Sequence, residues 1–204
     1  MLLGKPPVPR EAKIAQHEWD KVLPILNFGM HHRLRRLVSA GEPPDVRRID
    51  VHFAGTLSGN YEPPIARHRT SLLEKLDSLS YRYLVHSAAN SSGLGKYYRQ
   101  IRSAKIVVSP WGHGEMTIRD YETLWAGAAL IKPRTDFLTT APNILVEGAT
   151  YTPCEPDWSD LEERIEEVLE NWDSNRHMRA RARELAQIAW GGEEFVSGLL
   201  AVTE

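Results

Sequence analysis

From Ile49 onward the apolar positions of the chain switch repeatedly between two rhythms. Short apolar runs of the kind that form buried strands alternate with segments whose apolar residues recur every three or four positions. "IDVHFAGT" reads as a strand entering a glycine-containing turn. "RTSLLEKLDSL" reads as a helix in which Leu72, Leu73, Leu76 and Leu79 share a face. "YRYLVHSA" is the next expected strand and residues 94–104 a short helix. The strand "AKIVVSP", the helix "TIRDYETLWAGA" and the strand "ALIKPR" continue the alternation. "NILVEG" reads as a further strand, followed by the helices "WSDLEERIEEVLENW" and "NRHMRARARELAQIAW". Ser159 is the expected N-cap of the first of these, with Glu162 three residues on as its capping-box partner.

Such alternation builds βαβ units, and apolar strands suit a sheet covered on both sides. The expected fold is therefore α/β: a single Rossmann-like open parallel sheet with helices on both faces, over residues 49–204. The segment before it has another character. "GKPPVPR" reads as irregular, with a polyproline tendency. Residues 11–26 carry a helical pattern through Ile14, Trp19, Val22 and Leu23, bent or ended at Pro24. "HHRLRRLVSAGEPPD" reads as a short basic helix stopped by Gly41 and the prolines. A second complete α/β domain does not fit comfortably in 204 residues, so residues 1–48 are expected to be a helical extension or an interdomain remnant.

Composition narrows the function classes. The formal net charge is −2, which gives no support to nucleic-acid binding despite local arginines at Arg33, Arg35, Arg36, Arg47 and Arg48. Cys154 is the only cysteine, so an internal disulfide or a cysteine-based zinc site is not expected. No apolar run reaches membrane-spanning length, and the N-terminus lacks a secretory pattern. A cytoplasmic setting follows as the expectation.

The densest chemistry lies in "SPWGHGEMTIRDYETLWAGAALIKP", Ser109 to Pro133. In an open parallel sheet, ligands collect beyond the C-terminal strand ends, where "KIVVSP" delivers this loop. Gly112 and Gly114 allow a tight turn or a close backbone approach. A helix starting near Thr117 presents its amides and positive dipole end to a phosphate. Neither a P-loop nor the dinucleotide glycine motif is present. Glu115 and Glu122 lie seven positions apart, and a carboxylate accepts two ribose hydroxyls; capping or ion pairing is the alternative for each. Arg119 sits in the first helical turn, where the dipole disfavours a cation; it contacts a phosphate or pairs with Glu115 or Glu122. His113 is a candidate donor to phosphate or sugar, or a surface-loop histidine. Lys132, near a strand end, reaches a phosphate or is a surface cation.

This stretch resembles the C-terminal, donor-binding half of GT-B glycosyltransferases, most nearly the group 1-like and CgeB-type enzymes. The residues carrying the resemblance are Ser109, Pro110, Gly112, Gly114, Glu115, Arg119, Asp120, Glu122, Ala126, Gly127, Leu130, Ile131, Lys132 and Pro133. "FAGT" with downstream Arg67 and Arg69 resembles the early donor-domain segment, and "PNILVEG…DWSDLEERIEEVLEN" its closing portion. The spacing of the two glutamates is one residue shorter than in many related enzymes. GT-B enzymes use two such domains, and this chain supplies one.

The resemblance implies a GT-B donor-domain fold and transfer of a sugar from a nucleotide-diphosphate sugar to an acceptor glycan or small molecule. Glu122 would bind the donor ribose, and the Gly112–Thr117 amides would lie near the diphosphate. Arg69, Arg119 and Lys132 would offset leaving-group charge. Glu115 and His113 are the candidate catalytic residues. No metal or other cofactor is implied, and an acceptor-binding domain or partner subunit would complete the site. The competing expectations are a nucleotide-sugar-binding module without catalysis and a structural α/β interaction domain. Nucleic-acid binding comes last.

Overall fold

The computed structural model describes residues 8–9, 37, 40–57, 63–89, 93–139 and 143–191. Among these residues the strands follow one another as β1 (Val8–Pro9), β2 (Ile49–Ala54), β3 (Val85–Ala88), β4 (Ala104–Val108), β5 (Ala129–Pro133), β6 (Leu138–Thr139) and β7 (Thr152–Cys154). Besides the helical Leu37, the helices of the described residues are labelled α1 (Pro63–Ser78), α2 (Leu94–Ser103), α3 (Ile118–Trp125), α4 (Leu161–Glu170) and α5 (Arg176–Gly191).

The main sheet has the order β3-β2-β4-β5-β7, and every neighbouring pair is parallel. The two-residue period of a strand sorts the side chains between its faces. Val51 and Phe53 of β2, Ile106 and Val108 of β4, and Ala129 and Ile131 of β5 pack against α1 and α4 through Leu72, Leu76, Leu161, Ile165 and Val168. Ala54, Ala104, Val107 and Leu130 pack the other way, on α2, α3 and α5 through Ile101, Leu124, Ala182 and Ala186. The sheet is thus covered on both faces, in the α/β, Rossmann-like arrangement read from the alternation.

The chain first adds β3 on one side of β2 and then crosses back to lay β4 on the other. That reversal opens a crevice between the C-terminal ends of β2 and β4, the place where open α/β sheets bind ligands.

Three local expectations need correction. "NILVEG" does not form the edge strand, because Thr152–Cys154 pairs with β5 instead. Ile144 is buried, but the Thr150 hydroxyl satisfies the backbone around it, donating to Ile144 O (2.8 Å) and accepting from Val146 N (2.7 Å). Gly148, at φ 68°, turns the chain toward β7. Ser159 does not cap α4: its amide donates to Asp157 Oδ1, and Asp160 is the residue preceding the helix. The Asp160 carboxylate is taken by Glu155 N and Arg164, so local side-chain bonding displaced the expected capping box. Val8–Pro9, expected to be irregular, pairs antiparallel with Leu138–Thr139. The helices expected within residues 11–39 lie outside the described residues, apart from Leu37, which is helical and buried. No helix among the described residues is long and apolar enough to cross a membrane.

Candidate functional site

β4 ends at Val108, and the chain leaves the sheet through Ser109 and a loop that returns at Thr117 to start α3. A buried polar cluster fixes both ends of this loop. Asp120, in the first turn of α3, accepts from Thr117 N at 2.8 Å and from the Ser109 hydroxyl at 2.5 Å. Lys132 of β5 places its ammonium 2.6 Å from Asp120 Oδ2 and 2.7 Å from Glu115 O. Both side chains of the Lys132–Asp120 pair are wholly buried. One cation thereby ties β5, the loop and the helix start together. Lys132 lies inside the protein with its charge matched by Asp120, which corrects the expectation of a strand-end ammonium facing a phosphate.

At the crevice itself two arginines converge. Arg69 of α1 donates from Nε to Thr56 O (2.8 Å) and from Nη1 to Trp111 O (3.0 Å). Arg119 of α3 donates from Nη2 to Ala54 O at 2.7 Å. Both guanidiniums also sit on the ring of Phe53, with Cζ to centroid distances of 5.7 Å for Arg69 and 5.1 Å for Arg119. Their tips meet at Gly55: a Cβ on that residue would lie 2.5 Å from Nη2 of each. The residue directly after β2 therefore has to be a glycine to admit two cations side by side. Carbonyl oxygens orient both guanidiniums.

Glu122, one turn further along α3, is wholly buried. Its two carboxylate oxygens accept from Tyr97 (2.8 Å) and Tyr98 (2.9 Å) of α2. The sequence places it on a crevice; the fold turns it inward, because residue 122 lies on the side of α3 that packs on α2. Burial, reinforced by the Glu122 carboxylate, raises the Tyr97 phenol above its ordinary range. Behind this pair His52 of β2 meets His86 of β3, Nδ1 to Nδ1 at 3.1 Å. Burial first, and then His86 and Arg119, lower His52 to about 3, so it is neutral at physiological pH.

Loop residues divide in the same way. His113 and Gly114 are exposed at the tip, Glu115 is half-buried, and Gly112 is buried. Gly112 N donates to Gly114 O at 3.0 Å, and Thr117 N is held by Asp120. Two amides expected to face a diphosphate are thus satisfied within the protein. Trp111 stacks at 4.7 Å on His68, whose other face lies 4.6 Å from Trp158. Burial, then the nearby Arg69, lowers His68 to about 4.

Sequence reasoning had named Arg69 and Arg119 but not Gly55, which brings them together, nor Phe53 beneath them. The quoted "FAGT" contained both, and a glycine directly after a strand was the available signal. The Thr117–Asp120 spacing was a readable capping-box signal, but the roles of Tyr97 and Tyr98 had none, since their partner Glu122 comes from another element.

No protein-family model matches the chain, and no curated protein matches it in sequence. Solved structures do match in shape. The structure of TarM aligns with a TM-score of 0.50 at 10% identity, covering 79% of this chain and 36% of that one. The pneumococcal O-GlcNAc transferase GtfA, solved in complex with UDP and GlcNAc, aligns with a TM-score of 0.48 at 12% identity, covering 79% of this chain and 37% of that one. The fold is accordingly the Rossmann-like α/β fold of GT-B glycosyltransferases. The chain spans little more than a third of the length of either structure.

Proposed function

We propose that this chain is the donor-binding part of a glycosyltransferase, taking a nucleotide-diphosphate sugar at the crevice between β2 and β4. The observation that supports this best is the convergence of Arg69 and Arg119 on Gly55, at the topological switch point. Two guanidiniums held a side chain's width apart suit the adjacent phosphates of a diphosphate, and they offset the charge that grows there as the glycosidic bond breaks. Glu115, half-buried in the loop, and His113 at its tip are the groups we assign to the donor sugar or the acceptor. Glu122 supports the site from within by fixing α2 to α3. The acceptor, with a second domain or partner to bind it, belongs to the same proposal.

A second reading has one observation in its favour. Apart from the short β1–β6 ladder, the strands of the described residues form one sheet, whereas the proposed transfer needs a second domain for the acceptor. A nucleotide-sugar-binding module without independent catalysis fits that equally. Donor binding without transfer or donor hydrolysis distinguishes it.

Gly55→Ala is the sharpest test. The new methyl would lie against the ends of both arginine side chains, so it displaces the guanidiniums from each other. Calorimetric titration with UDP, GDP, ADP and CMP should show saturable binding of one nucleoside diphosphate. That binding should weaken by roughly tenfold or more in Gly55→Ala, at an unchanged urea midpoint. Folded protein that binds none of the four, or a variant that binds as well as the parent, removes the reading.

A further inference from the structure

A second cationic feature lies at the opposite end of the sheet, where no role has yet been assigned. A cleft of about 250 Å³ opens there, lined by Arg47, Arg176, Arg179, Arg183 and Trp172, with Glu42, Asp45 and Asp173 among its other residues. Its floor is Gly127, in the turn before β5. The φ of this residue is 65°, and a Cβ would lie 2.9 Å from Pro43 and 3.2 Å from Arg47 Nη2. Arg176, Arg179 and Arg183 recur at three and four positions and so share one face of α5. Arg47 reaches them from the segment before β2.

These guanidiniums are held in place largely by groups that cannot cancel their charge. Arg47 donates to three carbonyls: Arg102 O (3.1 Å), Ala104 O (2.8 Å) and Ala126 O (2.8 Å). Arg179 donates to Trp172 O at 2.5 Å and stacks on the Trp172 ring, Cζ to centroid 3.6 Å. The Arg47 guanidinium lies 5.9 Å from the centroid of the same ring. Arg183 donates to Trp125 O (3.2 Å) and pairs with Glu42 (2.6 Å). Among the described residues no carboxylate forms an ion pair with Arg47, Arg176 or Arg179. Burial, then repulsion from Arg179 and Arg102, lowers Arg47 to about 10. Burial and Arg176 lower Arg179, which Asp173 partly offsets.

We propose that this cleft is a binding site for a compact phosphate group, free or as the monoester of a small polyol. Donors approach from two chain segments, and Arg47, Arg179 and Arg183 are pre-oriented by bonds to backbone carbonyls. The cleft is smaller than the roughly 300–1,000 Å³ of sites for drug-sized ligands, which suits a small anion. Asp45 and Asp173 repel an extended polyanion but can accept hydroxyls from a polyol attached to the phosphate. The site is independent of the donor crevice, from which the whole length of the strands separates it.

The test is calorimetry with inorganic phosphate and with glycerol phosphate at constant ionic strength, on the full chain. One equivalent of phosphate should bind. Arg176→Ala, an exposed change, should weaken it about threefold to tenfold, and Arg176→Ala with Arg179→Ala should abolish it. Because Arg179 packs on Trp172, urea midpoints accompany both variants, and the single variant decides if the double one is unfolded. Gly55→Ala should leave this binding unchanged. Tighter binding of glycerol phosphate assigns the site to the monoester, and equal binding to free phosphate. Absence of binding, binding indifferent to Arg176→Ala, or binding lost only in Gly55→Ala overturns the proposal; the last places the anion at the donor crevice.

Discussion

The two ends of the sheet handle positive charge differently. At the C-terminal end Lys132 is wholly buried and meets the carboxylate of Asp120, which is itself fixed by Ser109 and Thr117. At the N-terminal end Arg47 is held by three carbonyls and faces other arginines. The first arrangement neutralises a cation and uses it as a structural tie. The second satisfies a cation's donors while leaving its field intact. Hydrogen bonding and neutralisation are separable, and their separation distinguishes a positioning cation from one that recognises an anion. Arg119, held by Ala54 O beside Gly55, follows the pattern of Arg47 although it stands at the same end as Lys132.

The largest effect that tests this contrast is on stability. Lys132→Met leaves Asp120 buried without its cation and should cost about 3–5 kcal/mol in urea unfolding. Adding Asp120→Asn should restore part of the loss. A small cost for the single variant would mean that the tie is dispensable. Next in size is Arg119→Ala, which should weaken nucleoside diphosphate binding roughly tenfold or more while moving the urea midpoint little. A midpoint that falls as far as for Lys132→Met would place Arg119 with the structural cations.

Acid stability probes the histidines behind the crevice. His52 and His68 are held near 3 and 4, below the ordinary value of 6.5. The unfolded chain therefore binds more protons between those values, and stability should fall as pH drops from about 6.5 toward 4. The slope from a group as buried as His52 is at most about 1.4 kcal/mol per pH unit. Urea midpoints across this range should decline less steeply in His52→Gln, and an unchanged slope would show that His52 is hydrated in solution. The smallest effect belongs to the other end. Gly127→Ala, at positive φ and against Pro43, should cost about 1–2 kcal/mol and leave nucleotide binding intact.

Much of the fold was legible because burial imposes periods on a chain. The strands at Ile49 and Ala104 and the helix at Ile118 follow directly from theirs. "NILVEG" misled because Ile144 and Leu145 are buried without joining a ladder, and periodicity reports burial, not pairing. Ser159 misled because Asp160 and Asp157 competed for the same backbone groups.

The site was legible only as an inventory. The sequence by itself determined the βαβ order, the glycine-bearing loop after β4, and the presence of Arg69 and Arg119. Tertiary structure alone decided that Lys132 and Glu122 turn inward to Asp120 and two tyrosines, and that two arginines fifty residues apart meet over one glycine. The reason is physical: a period records how each segment faces the core, but a polar side chain's role depends on the groups that other segments bring to it.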